Sequence, residues 1–186
     1  MADLSDIETD GIAERIRSGN DTMRKAAASV YATNISNEEV GAKAAALLEP
    51  FFNDTNDDVR NSHSRAFWKM EGGRMLQLKT TISAFIESKS FENGADDLLY
   101  ALKNSFVELP HVICRAAERV LEFVGEQGGD IQYAESSTAR SISTLVVRQY
   151  AQTTDPAMKT HCLDLIDRME RIGYMGIGDE LAKIDR

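Results

Sequence analysis

No G-x-x-x-x-G-K-[ST] stretch occurs anywhere in the chain, and neither does a G-x-S-x-G elbow or another glycine-rich phosphate cradle. The first absence excludes a P-loop NTPase within this chain, and the second removes the usual signature of a hydrolase serine. Cysteine is scarce: Cys114 and Cys162 are the only two, too few for a disulfide framework and without the spacing of a zinc site. They read as two buried thiols in a reducing cytosol. The start of the chain shows no basic segment followed by an apolar run, so no signal peptide is expected. The longest apolar stretches fall far short of a membrane span. A cytoplasmic protein is expected.

Proline is also rare, at 3 residues, so few breaks in regular structure are forced. Ala and Leu are frequent, runs of β-branched residues are few, and no strand-like alternation is found, all of which favours helix. The 186 residues suffice for one domain with a sizeable core, or two small ones. Acidic side chains outnumber basic ones 30 to 21, for a formal charge of -9. That balance repels phosphate backbones at long range and argues against nucleic acid as a partner.

What is present is a recurring helical pattern. The stretch NDTNDDVRNSHSRAFWKM, residues 53–70, opens with a polar turn. From residue 59 onward, Val59, His63, Ala66, Phe67 and Met70 fall on one face at helical spacing, which predicts a helix over 59–70. Asn56, Asp57 and Asp58 suit its N-cap and first turn, and Arg60 is placed to bond nearby turn carbonyls or acids. A preceding helix over 38–52 carries Val40, Ala44, Leu47, Leu48 and Phe51 on one side, and so short a joint makes antiparallel neighbours. NDTMR at 20–24 matches NDDVR at 56–60, an offset of 36 residues from Asn20 to Asn56.

DPAMK at 155–159 repeats the theme, with Thr154 or Asp155 as cap, Pro156 at the first helical position and Met158, Cys162, Leu165, Ile166 and Met169 as a buried stripe. After ELPH at 108–111, Val112, Ala116, Val120 and Phe123 share a face. Further helices are expected over 4–17, 75–87, 94–103, 131–152 and 179–184. Breaks are expected at Gly72-Gly73, where the pair reads as a linker turn, and at 125–129. The architecture implied is all-α: a right-handed solenoid of antiparallel helical hairpins of roughly 35 to 50 residues each. It is expected as a single domain over 1–186, with 1–19 as an N-terminal cap helix and 173–186 as a C-terminal cap.

This pattern resembles HEAT repeats, most closely in LLEPFFNDTNDDVRNSHSRAFWKM, with its acid, Val and Arg at a second-helix start. The stretches ADDLLYALKNSFVELPHVICRAAERVLEF and LVVRQYAQTTDPAMKTHCLDLIDRMERIGYMGIGDELAKIDR look like the carboxy-terminal helical region of large bacterial ATP-binding proteins, some linked to defence against phage. Those proteins carry an NTPase domain upstream. With no P-loop here, the resemblance implies a fragment or partner lacking the motor, or a fold used alone. The His-Glu pairs of HEAT-type hydroxylases are also missing, since none of His63, His111 and His161 precedes Glu.

No cofactor or metal set emerges. His63 sits on an apolar face as a core or groove histidine. His161 and Cys162 are adjacent in a helix and point about 100° apart, so they do not form a ligand pair. Acidic pairs at 57–58, 96–97 and 179–180 read as helix-start carboxylates. Arg115, Glu118, Arg119 and Glu122 form a mixed-charge, solvated face.

Trp68 is the residue of most functional interest. It lies opposite Val59 on the wheel, among Asn61, Ser64 and Arg65, and Trp and Arg are common interface anchors. Two readings stand: Trp68 packs on a neighbouring repeat, or Asn61, Ser64, Arg65 and Trp68 meet a partner. The function expected is a non-enzymatic scaffold binding a protein or peptide, and the resemblance makes it the recognition or regulatory end of a defence or signalling NTPase. The alternatives are a HEAT-like DNA-binding or glycosylase-type protein, using Trp68 with Asp57 or Asp58, and a purely structural cap or oligomerisation piece.

Overall fold

The computed structural model describes residues 14–68, 70–105, 107–124, 136–174 and 176–183, and every regular element among them is helical. The helices are α1 (Asp21–Asn34), α2 (Gly41–Leu48) running into a 3-10 turn (Glu49–Phe51), α3 (Asp57–Asn61), α4 (Gly72–Gln77), α5 (Lys79–Ile86), α6 (Phe91–Ser105), α7 (Pro110–Val124), α8 (Ser137–Gln152), α9 (Pro156–Ile172) and α10 (Ile177–Leu181). The chain divides into two compact units, Met1–Ala101 and Leu102–Arg186, with the boundary inside α6.

In the first unit α1 packs against α2 and α3, and the 3-10 turn packs against α5. The matched pentapeptides start helices in the same way. Asn20 caps α1 by accepting from the Met23 amide at 3.0 Å. Asn56 caps α3 by accepting from the Asp58 and Val59 amides at 2.8 and 3.3 Å. Arg24 and Arg60 then each turn back onto the acid three residues earlier, Asp21 and Asp57, and onto a turn carbonyl, Gly19 and Asp54.

Asp54 joins the two starts. Its carboxylate accepts from Arg24 Nε at 2.8 Å and Nη2 at 3.2 Å, and from the Asn56 amide at 2.9 Å. Burial alone would raise this carboxyl, but the Arg24 hydrogen bonds and the Asn56 amide outweigh it and hold it below the usual range. Asn56 Nδ2 in turn donates to Asp21 at 2.6 Å.

The core of this unit centres on Phe85. Its ring lies 5.1 Å from Phe52, 4.8 Å from Phe67 and 6.0 Å from Phe91, two of the three contacts edge-on. Each such pair adds roughly 0.5–1.5 kcal/mol beyond area burial. All five residues of the 59–70 stripe are buried.

The helix expected over 59–70 is shorter than its pattern. Regular α-helix stops at Asn61, and the chain continues in three-residue turns: the amides of Ser62, His63, Ser64, Ala66, Trp68 and Met70 donate to the carbonyls three positions back. Ser62 Oγ also donates to the Val59 carbonyl at 2.7 Å, the local competition that disfavours serine inside helices. The winding is tighter, yet the same side chains still face inward.

Other boundaries shift for readable reasons. The helix expected over 38–52 starts at Gly41, after Asn37 Oδ1 has accepted from the Glu39 and Val40 amides. It tightens at Glu49 because Pro50 has no N–H for the α-pattern. The helix expected over 75–87 is two, broken at Leu78 with φ -98° and ψ 17°. Gly72 and Gly73 are the first turn of α4 rather than a linker. Glycine here and β-branched residues at 80–82 give this stretch little intrinsic helix preference. Asp96 and Asp97 lie in the second turn of α6, which begins earlier than expected.

In the second unit α8 packs against α7, α9 and α10, and α9 also packs against α7. Asp155 Oδ1 caps α9 by accepting from the Ala157 amide at 3.0 Å, and Pro156 occupies its first turn. The expected stripe from Met158 to Met169 is buried at all five positions. Gly173, at φ 91°, ends α9: its amide donates to Glu170 and the Tyr174 amide to Met169, the double closure that a left-handed glycine permits. Arg148 on α8 donates to the Leu102 and Lys103 carbonyls at 3.3 and 2.9 Å, satisfying last-turn carbonyls that α6 leaves open. The helix expected over 131–152 is seen from Ser137, and α10 spans Ile177–Leu181 where 179–184 was expected. The first helix up to residue 13, the break at 125–129 and residues 184–186 lie outside the described residues.

Candidate functional site

The tight turns after α3 hold Arg65 and Trp68 at the surface. They can do so because α6 approaches closely. A Cβ on Gly94 would stand 2.6 Å from the Ser64 carbonyl oxygen and 2.8 Å from Phe85 Cζ, so only glycine fits there. This seat brings the next turns of α6 beside Trp68. The indole lies against Tyr100 with ring centroids 5.8 Å apart and planes 20° from parallel. The Arg65 guanidinium lies 4.2 Å from the indole centroid, and Arg65 Nε is 3.7 Å from Asp97 Oδ2.

Both rings stay open to solvent, Trp68 at 37% and Tyr100 at 47%. The Arg65 side chain is largely exposed, whereas Asp97 is mostly covered. Burial pushes the Asp97 carboxyl above its ordinary range; Arg65 lowers it and Asp96 raises it further. Asn61 is exposed one turn back, and Ser64 is half-buried with its carbonyl against Gly94. Trp68 packs on another helix and keeps an open edge. Tyr100 and Asp97 were not foreseen. Glu92, Asp96 and Tyr100 are exposed at four-residue spacing on α6, but nothing in the sequence pairs that face with Trp68.

Other residues with chemical potential are engaged elsewhere. His63 is fully buried. Its Nε2 lies 2.9 Å from Ser90 Oγ, and that hydroxyl donates to the Phe52 carbonyl at 2.8 Å. Burial lowers the His63 pKa to about 4, so the ring is neutral at pH 7. Asp57 pairs with Arg60, and Asp58 stands 3.6 Å from Lys25.

In the second unit, Arg115 pairs with Glu118 and Glu122, and Arg119 with Glu122. His161 Nε2 lies 3.0 Å from Glu118 Oε1, while Cys162 faces Cys114, so the adjacent His161 and Cys162 have separate partners. Among the described residues no group of three or more His, Cys, Asp or Glu side chains could hold a metal ion, and no helix is long and apolar enough to cross a membrane. Comparison of the chain with protein-family models, curated proteins and solved structures returns no significant match.

Proposed function

We propose that the chain is a non-enzymatic, HEAT-like helical-repeat scaffold of the cytoplasm that binds a protein or peptide partner through the surface around Trp68. The observation that carries this reading is an open aromatic pair, Trp68 on Tyr100, with Arg65 across the indole. A solvent-facing Trp and Tyr held in place by packing offer a partner large contact area with little ordering to lose, the character of an interface anchor. Asn61 and Ser64 would supply polar contacts at the rim. The paired helix starts at Asn20 and Asn56, bridged by Asp54, support the repeat reading. On the sequence resemblance, the parent activity would be that of a bacterial defence or signalling NTPase, with this chain as its recognition or regulatory part.

The test is affinity capture from a bacterial lysate with the intact chain and Trp68→Ala as parallel baits, followed by purification of any recovered protein and a direct titration. A protein that binds the intact chain and not the variant, with the variant still folded and melting cooperatively, supports the proposal. A protein that binds both equally removes Trp68 from the interface. Recovery of nucleic acid alone, with salt-sensitive duplex binding, replaces the scaffold with a DNA-binding reading.

A further inference from the structure

Two nucleophilic side chains meet within the second unit. Cys114 on α7 and Cys162 on α9 are both buried, with their sulfurs 3.9 Å apart. Met158, one turn before Cys162, places its sulfur 3.5 Å from Cys114. One turn further along α7, Glu118 meets His161 of α9, so the same seam is held on its solvent side by a hydrogen bond. A disulfide needs a sulfur separation of about 2.05 Å. The sulfurs must therefore close by about 2 Å, across helices that already pack together.

We propose that Cys114 and Cys162 are a dithiol oxidation site, closed to an intramolecular disulfide by hydrogen peroxide. One of the two sulfurs attacks a peroxide oxygen. An S–O bond forms, the O–O bond breaks, and the departing oxygen leaves as water after taking up a proton. The other sulfur then attacks the oxidised one, the S–O bond breaks, and a second water leaves with the attacking thiol's proton. Two electrons pass from the sulfurs to the peroxide. Either sulfur can attack first, because the two lie in direct contact and the second is in place to follow. The product ties α7 to α9 and constrains the unfolded chain between them.

The experiment uses the intact chain, reduced and then exposed under native conditions to hydrogen peroxide. The expected result is loss of both titratable thiols, a mass lower by two hydrogens, and a cross-linked Cys114–Cys162 peptide in a non-reducing digest. The melting temperature should rise, and a thiol reductant should return it. Cys114→Ser and Cys162→Ser should each lack that rise. Thiols that stay unreactive in the native chain and react only in denaturant overturn the proposal. So does a mass gain of oxygen atoms without the cross-link.

Discussion

Trp68 and Tyr100 stack at 5.8 Å although 32 positions separate them in the chain, and Gly94 makes the meeting possible. The aromatic surface thus depends on a contact between backbones. Gly94→Ala should force α6 away from the Ser64 carbonyl and destabilise the fold by roughly 1–3 kcal/mol, as overpacking does. Because Trp68 is the sole tryptophan, its fluorescence reports on the same change. A red-shifted emission together with a lower denaturation midpoint is expected, and unchanged emission would separate the glycine from the stack.

Removing a ring from the surface should cost much less. Tyr100→Ala is expected to lower stability by about 1 kcal/mol, since an open aromatic pair contributes roughly 0.5–1.5 kcal/mol. Phe85→Ala, in the centre of the first unit's core, should cost roughly 3–5 kcal/mol. Chemical denaturation of the two variants side by side checks the ordering.

His63 predicts a pH dependence with a definite sign. Its folded pKa of about 4 lies below the ordinary value near 6.5, so between these values the unfolded chain binds the extra proton. The stability linked to the neutral ring is fully present above about pH 6.5 and is lost as pH falls toward 4, by up to about 3 kcal/mol. In His63→Gln that slope should vanish, even if the variant is less stable throughout. Denaturation midpoints measured from pH 7 to pH 4 decide it.

Asp54 acts at lower pH. Its folded pKa is depressed, so its contribution is present above the unfolded value near 4 and is lost as pH falls through the folded value. Asp54→Asn should weaken the bridge to Arg24 and reduce stability by roughly 1–3 kcal/mol at neutral pH. Arg24→Ala measured alone and with Asp54→Asn should show non-additive losses, because the two side chains share their hydrogen bonds.

The caps and stripes were legible because their causes are local. Asn56 before two acids, Pro156 after Asp155, and the Met158-to-Met169 spacing each act within one or two turns. Where helices were misjudged, the deciding contact was either a missing donor or a distant neighbour. Pro50 could have signalled the 3-10 turn. The tight turns around Ser64 could not be read so directly, since Gly94 is 30 positions away. The same limit applies to the candidate site: Arg65 and Trp68 stand out in sequence, whereas Tyr100 and Asp97 enter only when α6 docks. The pairing of Cys114 with Cys162 likewise needs α7 and α9 side by side.

The most direct test of the scaffold account is the dissociation constant of a captured and purified partner, measured for the intact chain, Trp68→Ala and Leu76→Ala. Leu76 is an exposed apolar residue outside the Trp68–Tyr100 pair and controls for general surface stickiness. The account predicts at least about a 30-fold loss for Trp68→Ala, the scale of an interface hot spot, and little change for Leu76→Ala. Equal affinities for all three, with all three folded, would contradict it.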